Sequence, residues 1–270
     1  MASPACRLCL RNEQLVNSHL IPQAMYDYCR TADSEPVFVS NEVMMQTSRQ
    51  AQHPLLCRNC EDVLNRGGEQ WLLPLLATMD KKFPLLDIIE RVQPDIIDGD
   101  ILGYAAARNP QIEVDKLIHF VMGVYWKASI HSWRAGRTEP SIEFGPYRER
   151  VRTFLLGETG FPGSMGLVIG ILPRGKAVIS FNHPYRASAE GYHNFVFYIP
   201  GIQTVLSVGK CLPDDIAKIC FATNPNHPIV VADLSSDVSR VFSQIASTAR
   251  KSKKLTAYLD NKKQNRRLGS

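Results

Sequence analysis

The spacing of apolar and polar positions divides the chain into three zones: 1–73, 74–160 and 161–270. In the middle zone, the segment 114–136 has apolar residues at intervals of three and four, which is the spacing of a helix. The segment 84–92 is a short amphipathic stretch between two prolines, and 146–158 has a proline near its start and a glycine near its end, as helices often do. We therefore expect the middle zone to be mainly helical.

In the third zone the pattern changes to short β-branched and aromatic runs separated by turn residues, which predicts antiparallel strands. These runs occupy 165–172, 176–181, 194–199, 203–209 and 227–234. The connections at 172–175 and 199–202 contain Pro and Gly and resemble hairpin turns. Ser-Ser-Asp at 235–237 predicts the start of a final helix that continues into the C-terminal tail. The predicted fold class is α+β, with a zinc-bound treble-clef or ββα-like module, a helical middle and an antiparallel β-rich region ending in a helix.

Composition adds a cellular setting. The chain is 44% hydrophobic and 21% charged, which is typical of a soluble globular protein. No apolar run approaches the roughly 18 residues that a membrane-spanning helix needs, and the N-terminus lacks the features of a signal peptide. We expect a cytoplasmic protein without a membrane partner.

Positive charge is concentrated at the C-terminus. The chain has 31 Lys and Arg against 26 Asp and Glu, and the segment 250–267 holds eight of those cations and one acid. Such a tail is either a solvated terminus or an arm that neutralises nucleic-acid phosphates. The second interpretation makes nucleic acid the expected partner and leaves a protein partner or a second copy open. Its candidate binding residues are Arg250, Lys251, Lys253, Lys254, Lys262, Lys263, Arg266 and Arg267.

The cysteines provide the strongest chemical signal. There are seven, an odd number that argues against a disulfide framework in the absence of a signal peptide. Cys6 with Cys9 and Cys57 with Cys60 form two Cys-x-x-Cys pairs, which together predict a tetrahedral Zn²⁺ site. Four thiolates leave no open coordination position, so this metal would be structural. Cys29, Cys211 and Cys220 are expected to be small buried hydrophobic residues.

Two further motifs accompany the cysteines: Ser-His-Leu-Ile-Pro at 18–22 and Leu-Leu-Cys-Arg-Asn-Cys-Glu at 55–61. Their order resembles the HNH (His-Me finger) nuclease superfamily, most closely its zinc-bound branch, which includes phage resolvases of the endonuclease VII type. The resemblance covers about residues 6–70. Bacterial proteins with the pattern Ser-His-Ile-Ile-Pro and Leu-Leu-Cys-x-x-Cys-Glu are also similar, but this second resemblance implies no activity.

The resemblance implies an endonuclease that cleaves phosphodiester bonds, with DNA as the favoured partner, at a catalytic site that uses Mg²⁺ or Mn²⁺. His19 matches the general base that takes a proton from the attacking water, a task suited to an imidazole near neutral pH. Ser18 stands where the family usually has an aspartate ligand, and Glu61 stands where it usually has Asn or His. Glu69 supplies a second carboxylate if the helix continues through Gly67-Gly68. The negative charge that binds the metal would thus come from Glu61 instead of from the residue before His19.

Each of these residues also has a simpler interpretation. His19 can bind the backbone beside the zinc site, and Glu61 can be an acid in the first turn of a helix. A degenerate module that binds nucleic acid or protein without cutting is therefore the alternative function. His53 is a further candidate without a defined role. The segment 126–133, which is rich in aromatic and basic residues, either stacks bases or packs on the core.

Overall fold

The computed structural model describes residues 4–30, 37–39, 43–46, 50–133, 140–187, 191–236, 238–240, 243, 250–251 and 256. Its α-helices are α1 Gln23–Tyr28, α2 Arg58–Leu64, α3 Gln70–Leu72, α4 Pro84–Ile89, α5 Val114–Ile130, α6 Arg148–Leu155 and α7 Asp214–Lys218. A π-helical turn, Asn65–Glu69, joins α2 to α3, and short 3-10 turns occupy Leu73–Leu75, Ala106–Arg108 and Gly145–Tyr147.

The strands are β1 Leu15–His19, β2 Val37–Val39, β3 Val43–Gln46, β4 Gln52–Cys57, β5 Ile96–Asp98, β6 Ile101–Ala105, β7 Met165–Ile171, β8 Tyr185–Ala187, β9 His193–Ile199, β10 Ile202–Val208, β11 Pro228–Val231 and β12 Arg250–Lys251. Among the described residues they form three sheets. β1 pairs with β4, a second sheet has the order β12-β3-β2, and a seven-stranded sheet has the order β5-β6-β11-β7-β10-β9-β8. The chain is therefore α+β, as predicted.

Helix α5 lies at the centre of the molecule. It is buried on almost every side, which is expected of a helix whose apolar residues are not confined to one face. On one side, the Tyr125 hydroxyl donates to the carbonyl oxygen of Phe195 at 2.8 Å and also contacts that of Thr204 at 3.0 Å, which ties α5 to β9 and β10. On another side, α5 packs against the π-helical turn so closely that a Cβ on Gly68 would lie 2.4 Å from the Lys116 carbonyl oxygen.

The N-terminal zone shares its hydrophobic core with the rest of the chain. One continuous cluster of buried residues includes Cys6 and Leu8 near the N-terminus, Trp126 in α5, and Leu167 and Phe197 in the seven-stranded sheet. Burial of so much apolar surface in one core provides most of the favourable free energy of folding. The first zone is consequently packed against α5.

Several strand predictions need correction. The seven-stranded sheet is mixed rather than antiparallel, because β11 pairs with β7 in parallel. The segment 176–181 forms no strand, since Tyr198 holds it by accepting from the Val178 N–H at 3.0 Å and donating to the Val178 carbonyl oxygen at 2.6 Å. The middle zone contains β5 and β6 in addition to its helices, and their hairpin extends the large sheet.

The hairpin predicted at 199–202 is present between β9 and β10. Gly201 has a φ of +85°, and a Cβ there would lie 2.4 Å from the Phe83 ring, so only glycine fits. Residues 235–236, 238–240 and 243 are helical, as expected from the Ser-Ser-Asp cap. The helix does not continue into Arg250 and Lys251, however, because these pair with β3 as β12. The other predicted nucleic-acid-binding residues of the tail lie outside the described residues: Lys253, Lys254, Lys262, Lys263, Arg266 and Arg267.

Candidate functional site

The two Cys-x-x-Cys pairs meet at one point. The four Sγ atoms of Cys6, Cys9, Cys57 and Cys60 all lie within 4.8 Å of one another, and those of Cys9 and Cys57 are 3.9 Å apart. Zn–S bonds of about 2.3 Å in tetrahedral geometry place sulfurs about 3.8 Å apart. The cluster is therefore compatible with a structural metal ion such as zinc.

Local structure explains why the cysteines converge. The first pair lies in a tight turn, in which the Leu10 N–H donates to the Cys6 carbonyl oxygen at 2.9 Å and Leu10 adopts a φ of +62°. The second pair spans the junction where β4 ends and α2 begins, between Cys57 and Arg58. The Cys57 N–H donates to the Cys6 Sγ at 3.3 Å, which ties the two pairs together.

The surroundings of the thiols are electrostatically uneven. Burial opposes ionisation of Cys9, but hydrogen bonds from the backbone and side chain of Arg11 outweigh it and lower the pKa of Cys9 to about 6. Burial raises the pKa of Cys57 and of Cys60. A bound cation would offset the cost of burying these thiols in their charged form. Arg152 in α6 supports the first turn, since its Nη1 donates to the Leu8 carbonyl oxygen at 2.7 Å.

A second, polar cluster lies on the same strand–helix unit. Ser18 and His19 end β1, and Glu61 lies in α2 directly after Cys60. Ser18 is fully buried, while His19 and Glu61 are partly buried. Burial raises the pKa of Glu61, while Ser18, Lys127 and His19 act against this shift and Glu69 adds to it. All four side chains are therefore electrostatic neighbours of the Glu61 carboxylate.

Three polar atoms in this cluster lack partners. Ser18 Oγ, His19 Nε2 and Glu61 Oε1 are buried and form no hydrogen bond with any described residue. Although Ser18 is close enough to favour the charged form of Glu61, it forms no hydrogen bond with it. Buried polar atoms nearly always have a partner, which in such cases is an ordered water or an ion. A carboxylate, a hydroxyl and an imidazole nitrogen are donors that fit a divalent cation.

The π-helical turn brings Glu69 towards Glu61. In an uninterrupted α-helix, eight residues at about 100° each would turn residue 69 roughly 80° past residue 61. A π turn contains more residues per turn and reduces that angle. Gly67 and Gly68 permit the turn to pack on α5, because a Cβ at either position would lie within 2.4 Å of an α5 atom.

Glu69 has a partner that the sequence analysis missed. Lys127 in α5 is only 2% exposed, and its Nζ lies 3.4 Å from Glu69 Oε1. The same ammonium group favours the charged form of Glu61. The signal in the sequence is weak, because the segment 114–130 also contains Lys116 and nothing in its spacing marks Lys127 as the buried lysine.

No protein-family model, curated protein or solved structure matches this chain. Within the described part of the chain, each helix is too short or too polar to cross a bilayer.

Proposed function

We propose that this protein is a metal-dependent endonuclease of the HNH type that acts on DNA. In this proposal zinc holds Cys6, Cys9, Cys57 and Cys60 in a treble-clef-like module, and the polar cluster is the catalytic site. The observation that carries the proposal is the group of three unpartnered buried atoms of Ser18, His19 and Glu61. They occupy the positions at which the family resemblance predicts a base and metal ligands.

Each residue has a distinct role in the proposal. His19 accepts a proton from the attacking water through an imidazole nitrogen. Glu61 is the anionic ligand that would hold Mg²⁺ or Mn²⁺, with the Ser18 hydroxyl as a neutral neighbour. When bound, the cation neutralises the phosphate and stabilises the leaving oxygen. Glu69 is paired with Lys127 and adjusts the charge of the site.

The decisive assay is cleavage of plasmid, linear duplex and single-stranded DNA by the full-length, zinc-loaded protein in Mg²⁺ or Mn²⁺. We expect the wild-type protein to cut at least one substrate and His19→Ala to lose roughly 100-fold or more in rate. Glu61→Gln should require a higher metal concentration for half-maximal rate. His193→Ala, at an exposed histidine in β9, is the matched control and should cut normally. If the wild-type protein cuts nothing, or His19→Ala cuts equally well, the nuclease proposal is wrong.

One observation favours the alternative of a zinc-binding protein that binds nucleic acid or a protein partner without cutting it. The buried ammonium of Lys127 already supplies a cation to the two carboxylates. A site that contains its own cation has less need of a divalent ion. DNA binding without cleavage, combined with no binding of Mn²⁺ beyond the zinc site, would support this alternative.

A further inference from the structure

Two histidines from distant parts of the chain stack on each other beside the polar cluster. The ring of His53 in β4 lies parallel to that of His131, directly after α5, with centroids 4.1 Å apart and planes at 17°. The edge of Trp133 contacts His131, with centroids 5.1 Å apart at 89°. Trp133 is 8% exposed, His131 is partly buried and His53 is exposed. The stack therefore runs from the core to the surface.

The stack is attached to the elements that form the proposed catalytic site. Trp133 Nε1 donates to the Lys127 carbonyl oxygen at 2.8 Å, which anchors the inner end to the last turn of α5. At the outer end, His53 is the cross-strand partner of Ser18 in the β1–β4 pair. Cross-strand partners project from the same face of a sheet. A ligand that contacts His53 is thus close to the polar cluster.

Arg7 adds positive charge to the stack. Its N–H donates to the Leu55 carbonyl oxygen at 3.0 Å, which places Arg7 beside β4. Burial lowers the pKa of His131, and His53 and Arg7 lower it further, while no carboxylate among the described residues contributes. The neutral form of His131 is consequently favoured, and the positive charge of the exposed Arg7 acts on it.

The geometry argues against two simpler roles. The lone pair of an imidazole nitrogen lies in the plane of its ring, so two stacked rings direct their lone pairs in parallel planes. Zinc instead needs ligand nitrogens that converge on one point at about 2.0–2.1 Å. A core-packing role would bury the outer ring, but His53 is exposed. An exposed aromatic ring, with an exposed arginine on the segment that pairs with the same strand, matches the chemistry by which proteins bind unpaired nucleotides.

We propose that Arg7, His53 and His131 form a subsite for a single strand of nucleic acid. A base stacks on the outer face of His53, His131 supports that ring from beneath, and Arg7 contacts a neighbouring phosphate. The choice of nucleic acid as the ligand rests on the proposed nuclease function, but binding at the subsite does not require cleavage.

Binding is measured by fluorescence anisotropy of a labelled oligothymidine with the zinc-loaded full-length protein and no added Mg²⁺ or Mn²⁺. We expect His53→Ala to weaken binding by about five- to tenfold, near the lower end of the range for loss of one stacked base. His53→Phe retains a stacking face and should bind within about twofold of the wild-type protein. Arg7→Gln should release about one counterion fewer on binding, as measured from the salt dependence of the affinity. His193→Ala again serves as the exposed-histidine control.

Two outcomes overturn the subsite: His53→Ala binding as tightly as the wild-type protein, or His53→Phe binding as weakly as His53→Ala. Cleavage assays with the same variants test the nuclease proposal independently of binding at the subsite. Wild-type cleavage together with normal binding by His53→Ala would refute the subsite alone. His53-dependent binding without any cleavage would support the subsite and refute the nuclease.

Discussion

The cysteine cluster and the polar cluster are both built on the β1–β4 pair and α2. They differ in how many of their buried polar atoms have a partner. The four thiols converge with the spacing of one tetrahedral ion and receive backbone support, such as the Cys57 N–H at 3.3 Å from Cys6 Sγ. The polar cluster contains three buried atoms without partners and a carboxylate balanced by a lysine from another helix. Glu61 follows Cys60 directly, so the two clusters are neighbours along α2.

In our proposal, this difference separates a site that maintains the fold from one that is available for chemistry. A closed four-thiolate site has no free position for substrate and contributes to folding. Unpartnered buried groups lower stability, and proteins usually retain them where a ligand completes them. The experiments below test each half of this contrast, beginning with the largest expected effect.

Breaking the cysteine cluster should unfold the protein. Structural zinc contributes about 10–16 kcal/mol in small zinc domains, which is comparable to the whole stability of a typical domain, about 5–15 kcal/mol. We therefore expect Cys57→Ser to lose its zinc and its cooperative thermal transition, because Cys57 belongs to the continuous core. Zinc content by atomic emission and unfolding by circular dichroism measure this, with the exposed Cys211→Ser as control. A Cys57→Ser protein with one zinc and a normal Tm would contradict the structural role.

Removing the buried lysine tests the charge balance of the polar cluster. Lys127→Met leaves Glu69, whose side chain is 20% exposed, without its cation. Breaking one half of a fully buried ion pair typically costs about 3–5 kcal/mol, so we expect a loss of about 3 kcal/mol or less. The double variant Lys127→Met/Glu69→Gln should recover much of that loss, since removal of both charges is often close to neutral. Urea unfolding provides the free energies. Equal stability of Lys127→Met and the wild-type protein would show that this pair does not stabilise the cluster.

The smallest expected effect concerns His119, which packs against the π-helical turn. Its Nε2 donates to the Leu155 carbonyl oxygen at 3.1 Å, and its Nδ1 has no partner among the described residues. Burial lowers the pKa of His119, although the Leu155 hydrogen bond and Glu69 oppose this. The unfolded chain therefore binds a proton more readily than the folded one, so stability is lost as the pH falls through about 6.5.

The measurement compares the free energy of unfolding at about pH 7.5 and about pH 5.5 for the wild-type protein and His119→Gln, which retains a donor for Leu155. The wild-type protein should lose more stability, by at most about 1.4 kcal/mol per pH unit for one proton. Identical pH dependence in the two proteins would exclude His119 as the titrating group.

Much of the helical and strand structure could be predicted from local patterns. The helix expected over 114–136 is α5, although it ends at Ile130. The segment 176–181 has the same β-branched character as true strands, but the Tyr198 hydroxyl occupies its backbone groups. The parallel pairing of β11 with β7 depends on which strand edge is available, and this information is not local.

By itself, the sequence determined the two Cys-x-x-Cys turns, because four consecutive residues define that geometry. Its motifs also singled out His19 and Glu61, which the structure places at the end of β1 and in the first turn of α2. Only the tertiary structure brought Lys127 from α5 to Glu69 and His131 to His53. These contacts join residues 58 and 78 positions apart in the chain (127 − 69 and 131 − 53). They depend on packing that no local spacing encodes, because side chains distant in sequence meet only when the whole core is formed.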